Sequence, residues 1–477
     1  MTPYELAYEY VMHTNRCIFL TGKAGTGKTT FLRRLRTECP KQMCVVAPTG
    51  VAAINAEGVT IHSLFQLPPR MFQPTDEARR LLFHEMQMRE QKRRVLKNLE
   101  LLIIDEVSMV RADLMDTMDA VLRHFKHRND LPFGGAQVLF IGDLYQLSPV
   151  TRNEEWDMMR QWYEGPYFFQ ARVFQDVTPV YIELNKVFRQ TNQDFISLLN
   201  QVRENRLTRE GLRQLNSRYQ SEVHISQRKE ILLSTHNHKV DEINAHEMDV
   251  LKGKSYTYRA EIEGTFPESL YPMDEELQLK VGARVMFIKN DSSPAKAYYN
   301  GLLGTVQSLA KEEIVVICDN GQELTCHTET WENIRYNAKK DSDLVTSEVI
   351  GKFKHYPLRL AWAVTIHKAQ GLTFDHVLID AADAFASGQV YVALSRCRSL
   401  EGITLTSPIP ERALTNAVEV VNFTNSQPSS QVVEQQLPSS EKDYLRDLLC
   451  SLYDFREAIQ HIERLQKAFR EAGTFST

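Results

Sequence analysis

The sequence lacks the features that place a protein in or beyond a membrane. No run of about eighteen consecutive apolar residues occurs, which is the length needed to span a bilayer. Residues 1–5 also lack the basic and then apolar layout of a secretory signal. We therefore expect no membrane partner and a location in the cytoplasm, associated with the nucleoid if the source is a bacterium.

Cysteine is scarce and is not arranged for metal binding or disulfides. The seven cysteines form no C-x-x-C pair, and several lie within apolar stretches, where a thiol behaves as a small hydrophobe. Cys318, Cys326 and His327 lack a fourth ligand at a spacing suitable for zinc. We expect reduced, structural cysteines in a reducing compartment.

No excess of positive charge is present. The 56 basic and 61 acidic residues give a net charge of −5, so a nucleic-acid partner would need a locally basic groove. The length of 477 residues, with 43% hydrophobic and 25% charged residues, is typical of a soluble globular protein. A chain of this length is too long for one core and predicts two to four domains.

A phosphate-binding loop is the most informative segment that is present. Residues 22–29, GKAGTGKT, fit the pattern G-x-x-x-x-G-K-[ST] and follow the apolar run 17–20, which is typical of a buried strand. Such a loop turns backbone amides toward phosphates, while Lys28 adds a cation and Thr29 can ligate Mg²⁺. The predicted cofactors are therefore ATP and Mg²⁺. The residues expected to contact phosphates are Gly25, Thr26, Gly27, Lys28, Thr29 and Thr30.

Two further strands are predicted to carry polar groups to the same sheet edge. The run 101–104 ends in Asp105 and Glu106, which we interpret as a metal-binding carboxylate and a general base for water. The run 138–141 leads to Gln146, a predicted γ-phosphate sensor because an amide can both donate and accept hydrogen bonds. Taken alone, the segment around Gln146 would favour the alternative of a turn with a solvated glutamine.

Arg189 and Arg396 match what a cleft between two lobes would need. A guanidinium that reaches the γ-phosphate from a second lobe would couple hydrolysis to closure of the cleft. A lone arginine is usually a surface residue, so spacing alone leaves both interpretations open.

From the phosphate loop to about Leu405, the chain resembles the superfamily-one DNA helicases, and most closely the petite-integration-frequency (Pif) family. A stretch from 113 to 135 is similar to the segment that separates this family from its nearest relatives. The other resembling segments are 47–53, 58–64, 142–143, 365–373 and 391–396.

The resemblance implies an α/β fold of two RecA-like P-loop NTPase lobes, each a parallel sheet flanked by helices. It implies an ATP-driven motor that moves 5′ to 3′ on single-stranded DNA and unwinds duplexes, forks and guanine quadruplexes in genome maintenance. It adds Gln370 and Gly371 to the nucleotide site, and it implies that one chain forms the basic motor unit. It implies DNA contacts at Pro48, Thr49, His62, Ser63, Thr365, His367 and Lys368.

One departure from the family concerns the base of the nucleotide. These helicases usually carry a glutamine ahead of the phosphate loop that reads adenine, whereas residues 1–16 contain none. Backbone groups near Pro3 and Tyr4, or stacking by Tyr4, could substitute.

The predicted domains follow these motifs along the chain. Lobe one covers 1–180, with a small wedge insertion at 66–97 that could instead be a solvated helical hairpin. Lobe two covers 181–253 and 357–422, and short β-like runs in 254–356 favour an SH3-like barrel inserted within it. A polar linker is predicted at 423–440 and a helical segment at 441–477, whose apolar face should dock on the motor rather than on a partner.

Two rival functions remain open from sequence. An RNA helicase would use the same hydrolytic residues, because readers of the 2′-hydroxyl cannot be recognised here. A nucleotide-gated clamp on single-stranded DNA would not translocate, and the intact pair of Asp105 and Glu106 argues against it, since a pure binder needs no general base.

Overall fold

The computed structural model describes most of the chain. It covers residues 1–473 apart from 69, 87, 152, 191, 223–224, 226–227, 339–343, 381–383, 385–387, 415–416 and 454. Within this part of the chain, no helix is long and apolar enough to cross a membrane.

Lobe one is built on a six-stranded parallel sheet. Its strands are β1 (Ile18–Gly22), β2 (Met43–Ala47), β3 (Val59–Thr60), β4 (Leu101–Ile104), β5 (Gln137–Ile141) and β6 (Val180–Leu184). They are arranged in the order β3-β2-β4-β5-β1-β6. Both faces are covered by helices, which explains why β4 reads as an unbroken apolar run. The predicted strands at 17–20, 101–104 and 138–141 are confirmed by β1, β4 and β5.

In the described part of residues 1–180, eight α-helices accompany this sheet. They are α1 (Pro3–His13), α2 (Lys28–Glu38), α3 (Gly50–Asn55), α4 (Ile61–Phe65), α5 (Asp76–Glu85), α6 (Glu90–Asn98), α7 (Ala112–Lys126) and α8 (Asn153–Met159). The predicted wedge insertion corresponds to α5 and α6. β6 pairs with β1 along its full length, so the sheet of lobe one extends past the predicted boundary at 180.

Lobe two begins with α9 (Gln193–Arg203), α10 (Arg209–Asn216), β7 (Ile231–Ser234) and α11 (Asn237–Val250). The insertion that follows these elements is built of antiparallel strands. The insertion then contributes β8 (Tyr256–Arg259), β9 (Glu261–Gly264), β10 (Glu276–Leu279), β11 (Arg284–Phe287), β12 (Leu303–Leu309), β13 (Ile314–Cys318), β14 (Glu323–Cys326), β15 (Glu329–Ala338), β16 (Val345–His355) and β17 (Leu358–Leu360). These strands form three sheets, and their pairings do not close into a barrel within the described residues. β17 pairs with β11, so the insertion also extends beyond the predicted boundary at 356.

The remaining strands complete lobe two. They are β18 (Ala363–Thr365), β19 (Val377–Asp380) and β20 (Ile403–Leu405), with α12 (Gln389–Leu394) between the last two. With β7 they form a four-stranded parallel sheet in the order β18-β7-β19-β20. The two RecA-like lobes thus share one layered design.

The insertion also contacts lobe one. The backbone amide of Val45 in β2 donates to the hydroxyl of Tyr336 in β15 at 3.0 Å, and the amide of Val345 donates to Oε1 of Gln42 at 2.7 Å. α6 packs against β15 and buries Val95. Lobe one and the insertion therefore form a continuous surface beside the cleft.

The last helices differ from the sequence prediction. They are α13 (Val418–Asn425), α14 (Ser430–Ser451) and α15 (Arg456–Gly473). Most of the predicted linker at 423–440 is therefore helical. Val433 and Leu437, one helical turn apart, pack into the core of lobe one, and this apolar pair was hidden within a polar, serine-rich composition. The apolar face from Tyr444 to Leu465 was predicted to dock on the motor, but only Tyr444 is half-buried, beneath the ammonium of Lys41, and the face from Leu445 onward is exposed.

Candidate active site between the two lobes

The phosphate loop joins the end of β1 to the start of α2. Gly25 (φ 77°) and Gly27 (φ 94°) adopt left-handed backbone conformations that favour glycine. Space is also limited, since a Cβ on Gly25 would lie 2.6 Å from the Cβ of Arg189. No side chain caps the start of α2, so its first amides are available to an anion.

Lys28 begins α2 and lies inside the cleft. Its Nζ donates to the carbonyl oxygens of Gly22 at 2.6 Å and Lys23 at 3.2 Å. Burial lowers the pKa of Lys28, and the nearby carboxylates of Asp143 and Glu106 oppose that change. An ammonium group held only by neutral carbonyls gains charge-assisted bonds when phosphate oxygens replace them.

Asp105 and Glu106 follow β4 at its carboxyl end. Burial raises the pKa of both groups, and that of Glu106 reaches about 7 because the charge of Asp105 adds to the effect of burial. The backbone of Glu106 is left-handed (φ 51°), a strained conformation for a side chain of this size. A carboxylate whose pKa is near neutrality is well suited to accept a proton from water.

Two glutamines from opposite lobes meet at Glu106. Gln370 lies beyond β18 in lobe two, and its Nε2 donates to Oε2 of Glu106 at 2.9 Å and to Oε1 of Gln146 at 3.3 Å. Gln146 donates in turn to Oδ2 of Asp143 at 3.1 Å. Gln146 is buried, so the alternative of a solvated turn is wrong. The candidate base is thus hydrogen-bonded across the cleft, and a change in lobe separation would alter that bond.

Both predicted arginines lie in the cleft. Arg189 donates to the carbonyl oxygens of Ser395 at 3.3 Å and Gly371 at 3.1 Å, and burial lowers its pKa. Arg396 is 1% exposed and donates to the carbonyl oxygen of Val392 at 2.8 Å and to the hydroxyl of Ser395 at 2.8 Å. Burial, with the charge of Arg189, lowers the pKa of Arg396 to about 9. The buried guanidinium of Arg396 and the half-buried guanidinium of Arg189 are two neighbouring cations that favour the entry of a polyanion.

These groups line one cavity of about 950 Å³. The cavity brings together the phosphate loop of lobe one, Arg396 of lobe two, and Arg189 from the segment between β6 and α9, and its volume suits a nucleoside triphosphate. The sequence-predicted residues that line it are Gly25, Thr26, Gly27, Lys28, Thr29, Thr30, Glu106, Gln146, Arg189, Gln370, Gly371 and Arg396.

Arg203 is a residue that the sequence reasoning missed. It ends α9, is 3% exposed, and donates to Oδ1 of Asp143 at 3.2 Å, with Glu183 at 3.3 Å. Burial lowers its pKa, but the facing carboxylates, led by Asp143, outweigh burial and raise it. The pair links lobe two to the turn that carries Gln146. The only feature of Arg203 that the sequence shows is its place at the end of an amphipathic helix. That pattern alone does not predict a role in the cleft.

The base end of the cavity is aromatic. Tyr4 and Phe188 both line it, and Phe188 is 64% exposed at the cavity edge. The amide of Phe188 donates to the carbonyl oxygen of Gly25 at 2.9 Å, which holds the ring beside the phosphate loop. The ring of Tyr4 packs edge-on against Phe31, with a centroid separation of 5.1 Å. The predicted stacking role of Tyr4 is compatible with this position.

The residues predicted to contact DNA lie at the carboxyl ends of parallel strands. Pro48 and Thr49 follow β2, His62 and Ser63 follow β3, and Thr365 ends β18, ahead of His367 and Lys368. No hydrogen bond or ion pair joins the lobe-one group to the lobe-two group among the described residues.

The local environment of these residues is partly structural. Thr49 caps α3, because its hydroxyl accepts the amide of Ala52 at 3.2 Å. Burial lowers the pKa of both His62 and His367 and therefore favours their neutral forms. A Cβ on Gly50 would lie 2.8 Å from the carbonyl oxygen of Ser269, so the insertion borders the lobe-one group.

Comparison with known proteins identifies the family. A family model described as a PIF1-like helicase matches residues 3–211, and one described as a UvrD-like helicase C-terminal domain matches residues 360–400. The ATP-dependent DNA helicase Pif1 of Bdellovibrio bacteriovorus is 30% identical over 418 residues, covering 85% of this chain and 87% of that protein. The chain belongs to the PIF1-like helicase family.

Other members of the PIF1-like family are also similar. Human ATP-dependent DNA helicase PIF1 is 36% identical over 398 residues, which cover 81% of this chain but 57% of the human protein. The chain thus spans little more than half the length of that relative. Unliganded Pif1 from Bacteroides sp is 41% identical, with a TM-score of 0.81 over 89% of this chain and 96% of that chain. Bacteroides Pif1 in complex with ADP-AlF4 gives a TM-score of 0.82 and Bacteroides Pif1 bound to single-stranded DNA gives 0.62, so the present arrangement is closer to the unliganded and nucleotide-bound structures than to the DNA-bound one.

Proposed function

We propose that this chain is an ATP-dependent DNA helicase that moves 5′ to 3′ along single-stranded DNA. The observation that carries the proposal is the hydrogen bond from Gln370 in lobe two to Glu106 in lobe one, at 2.9 Å, inside a cavity lined by arginines of lobe two. A site divided in this way can hydrolyse ATP only in one relative position of the lobes. Each ATP cycle would therefore be tied to opening and closing of the cleft.

The roles of the residues follow from their positions. Lys28 and the first amides of α2 would bind the β- and γ-phosphates, and Glu106 would accept a proton from the attacking water. Gln146 would sense the γ-phosphate, and Arg189 and Arg396 would stabilise the charge that develops as the terminal phosphoryl group leaves. A Bacteroides relative that is 40% identical has been solved with ADP and AlF4, which supports nucleotide binding here.

Mg²⁺ would be held at the edge of the same cavity, which Thr29 and Glu106 line and Asp105 does not. Burial raises the pKa of Asp105, and Glu106 next to it adds a second carboxylate. A divalent cation would relieve that repulsion, and the hydroxyl of Thr29 and the carboxylate of Asp105 are oxygen ligands of the kind that Mg²⁺ prefers. When bound, the ion would neutralise charge on the phosphates.

The proposed DNA path crosses both lobes. Thr49 and His62 on lobe one, and Thr365, His367 and Lys368 on lobe two, would contact the backbone of a single strand at the strand ends already described. Relatives solved with single-stranded DNA and with forked duplex DNA support these substrates. The 5′ to 3′ direction, guanine quadruplexes and a role in genome maintenance rest on the family resemblance alone. The groups of the ATP site come from one chain, which favours a single chain as the motor unit.

Unwinding of two tailed duplexes tests the proposal. The two substrates share one duplex and carry a single-stranded tail at either the 5′ or the 3′ end, and Lys28→Ala serves as the inactive control. We expect ATP-dependent strand separation of the 5′-tailed substrate only, and none with Lys28→Ala. Intact ATP hydrolysis without opening of either substrate would overturn the proposal, and RNA duplexes or a clamp role would then be tested.

A further inference from the structure

The C-terminal helices carry a heptad repeat of exposed apolar side chains. In the register that starts at Leu445, the first position of each heptad is Leu445, Leu452, Ile459 and Gln466, and the fourth is Leu448, Phe455, Ile462 and Phe469. The seven apolar members of this set are 44–75% exposed. Four consecutive heptads in which seven of the eight first and fourth positions are apolar fit the sequence signature of a coiled coil.

The repeat keeps its register across the break between α14 and α15. α14 ends at Ser451 and α15 begins at Arg456, yet the seven-residue spacing continues through Leu452 and Phe455. The backbone of Leu452 is helical, with φ −63° and ψ −23°, and the amide of Ile459 already donates to the carbonyl oxygen of Phe455 at 2.9 Å. Residues 439–472 contain neither glycine nor proline. The sequence therefore favours one long helix over two helices joined by a turn.

The motor of the same chain does not cover this stripe. α14 docks on lobe one from Val433 and Leu437, which enter its core, to Asp447, which accepts a hydrogen bond from Asn15 at 2.9 Å. Beyond that point the stripe faces solvent, and α15 does not fold back onto it, because Leu448 and Ile462 both remain exposed. The positions outside the stripe are mostly polar, among them Arg446, Arg464 and Lys467.

We propose that the heptad helix, residues 445–472, pairs with the same helix of a second copy of this chain in a parallel coiled coil. The exposed parts of the stripe, with Leu449 and Leu465 at its margins, amount to roughly 700 Å² per copy, taking about 200 Å² for each fully exposed phenylalanine and about 100 Å² for each fully exposed leucine or isoleucine. Two copies would bury an area within the range of specific, stable interfaces.

The polar member of the repeat selects the orientation. In a parallel pair, Gln466 lies opposite Gln466 of the second copy, where two amides can hydrogen-bond to each other. In an antiparallel pair each glutamine would face an apolar side chain. The two motors would then stand at the same end of the coiled coil. This inference does not depend on the proposed helicase function.

Sedimentation of the full chain without DNA tests the inference. We expect the mass of the wild-type chain to double as its concentration rises through the micromolar range, together with an increase in helical circular dichroism. Ile459→Asp combined with Ile462→Asp should remain monomeric, whereas the control pair Arg446→Asp and Arg464→Asp, on the polar face, should dimerise. ATP hydrolysis at the wild-type rate verifies that the motor of each variant is folded.

Disulfide trapping tests the parallel register. In a Cys450→Ser background, Ile462→Cys should form a disulfide-linked dimer under mild oxidation, and Arg464→Cys should not. A wild-type chain that stays monomeric over the whole concentration range would overturn the inference. It would do so even if hydrogen exchange in the stripe were slow, because the stripe of that monomer would then pack on the motor of its own chain. The inference would also be overturned if the double variant, Ile459→Asp with Ile462→Asp, dimerised as well as the wild-type chain. Failure of Ile462→Cys to cross-link would exclude the parallel arrangement.

Discussion

The two lobes share a layered parallel design but contribute different chemistry to the cleft. Lobe one carries the phosphate loop, Asp105 and Glu106, all at the carboxyl ends of its strands. Lobe two has no phosphate loop and contributes Gln370 and Arg396 instead. Binding groups thus lie on one side and the groups that complete hydrolysis lie on the other. We therefore expect substitutions in the lobe-one part of the site to abolish nucleotide binding. Substitutions in the lobe-two part should leave binding intact and slow turnover.

The largest effect is expected from Lys28→Ala in lobe one. The buried ammonium is the only lobe-one cation proposed to contact the β- and γ-phosphates, so its loss removes binding and turnover together. We expect no measurable ATP hydrolysis and a large loss of affinity in a fluorescent-nucleotide titration. Arg33→Ala, on the exposed side of α2, is the matched control and should behave as wild type. Unchanged affinity for nucleotide in Lys28→Ala would contradict the proposal that lobe one binds the phosphates.

The next largest effect is expected from Arg396→Ala in lobe two. Loss of an arginine that stabilises the transition state lowers turnover by about 10³-fold or more. Nucleotide affinity should change little, because lobe one still binds the phosphates. Arg398 lines the same cavity but pairs with Asp375 at 3.0 Å and is exposed, so Arg398→Ala should cost less than about tenfold.

A stability effect is expected at the link between the lobes. Arg203→Met would leave the buried carboxylate of Asp143 without its cation, at a cost of about 3–5 kcal/mol in the free energy of unfolding. Combining it with Asp143→Asn should recover part of that loss. Arg213→Met, which breaks an exposed pair with Glu210 at 2.9 Å, should change stability by less than about 1 kcal/mol. Denaturant titration of the wild type, Arg203→Met, the double variant and Arg213→Met measures these differences. Equal losses of stability in Arg203→Met and Arg213→Met would contradict a stabilising role for the pair of Arg203 and Asp143.

The smallest effect is expected from Gln370→Ala and from pH. Loss of one positioning hydrogen bond should lower turnover by about 10–100-fold. Glu106 must be ionised to accept a proton, so kcat/KM for ATP should fall as the pH drops below about 7 in the wild type. The amide of Gln370 favours the ionised form, so Gln370→Ala should move this fall to higher pH. Gln322→Ala, in a loop of the insertion, is the control, and an unchanged profile in Gln370→Ala would exclude a positioning role.

The sequence predicted the local parts of the cleft well and the distant parts poorly. Lys28, Asp105 and Glu106 belong to short motifs in which chain neighbours supply the geometry. Arg203 and Asp143 are 60 positions apart and pair only because α9 of lobe two packs near the end of β5. Such a contact depends on how the lobes pack and leaves no periodic signal.

The C-terminal region shows a second limit of sequence reasoning. The periodicity between Tyr444 and Leu465 predicted one amphipathic helix, whereas the structure has two, α14 and α15, in this stretch. Periodicity does not identify the surface that covers an apolar face, and docking on the motor was the wrong choice. Conversely, composition predicted a linker where two apolar residues, Val433 and Leu437, are enough to dock a helix.

Nucleotide binding and DNA-stimulated hydrolysis, measured side by side for Arg396→Ala, show whether lobe two completes the active site. We expect affinity for ATP within a few-fold of wild type, together with a loss of about 10³-fold in the turnover that single-stranded DNA stimulates. Turnover within tenfold of wild type would contradict the claim that lobe two completes the active site.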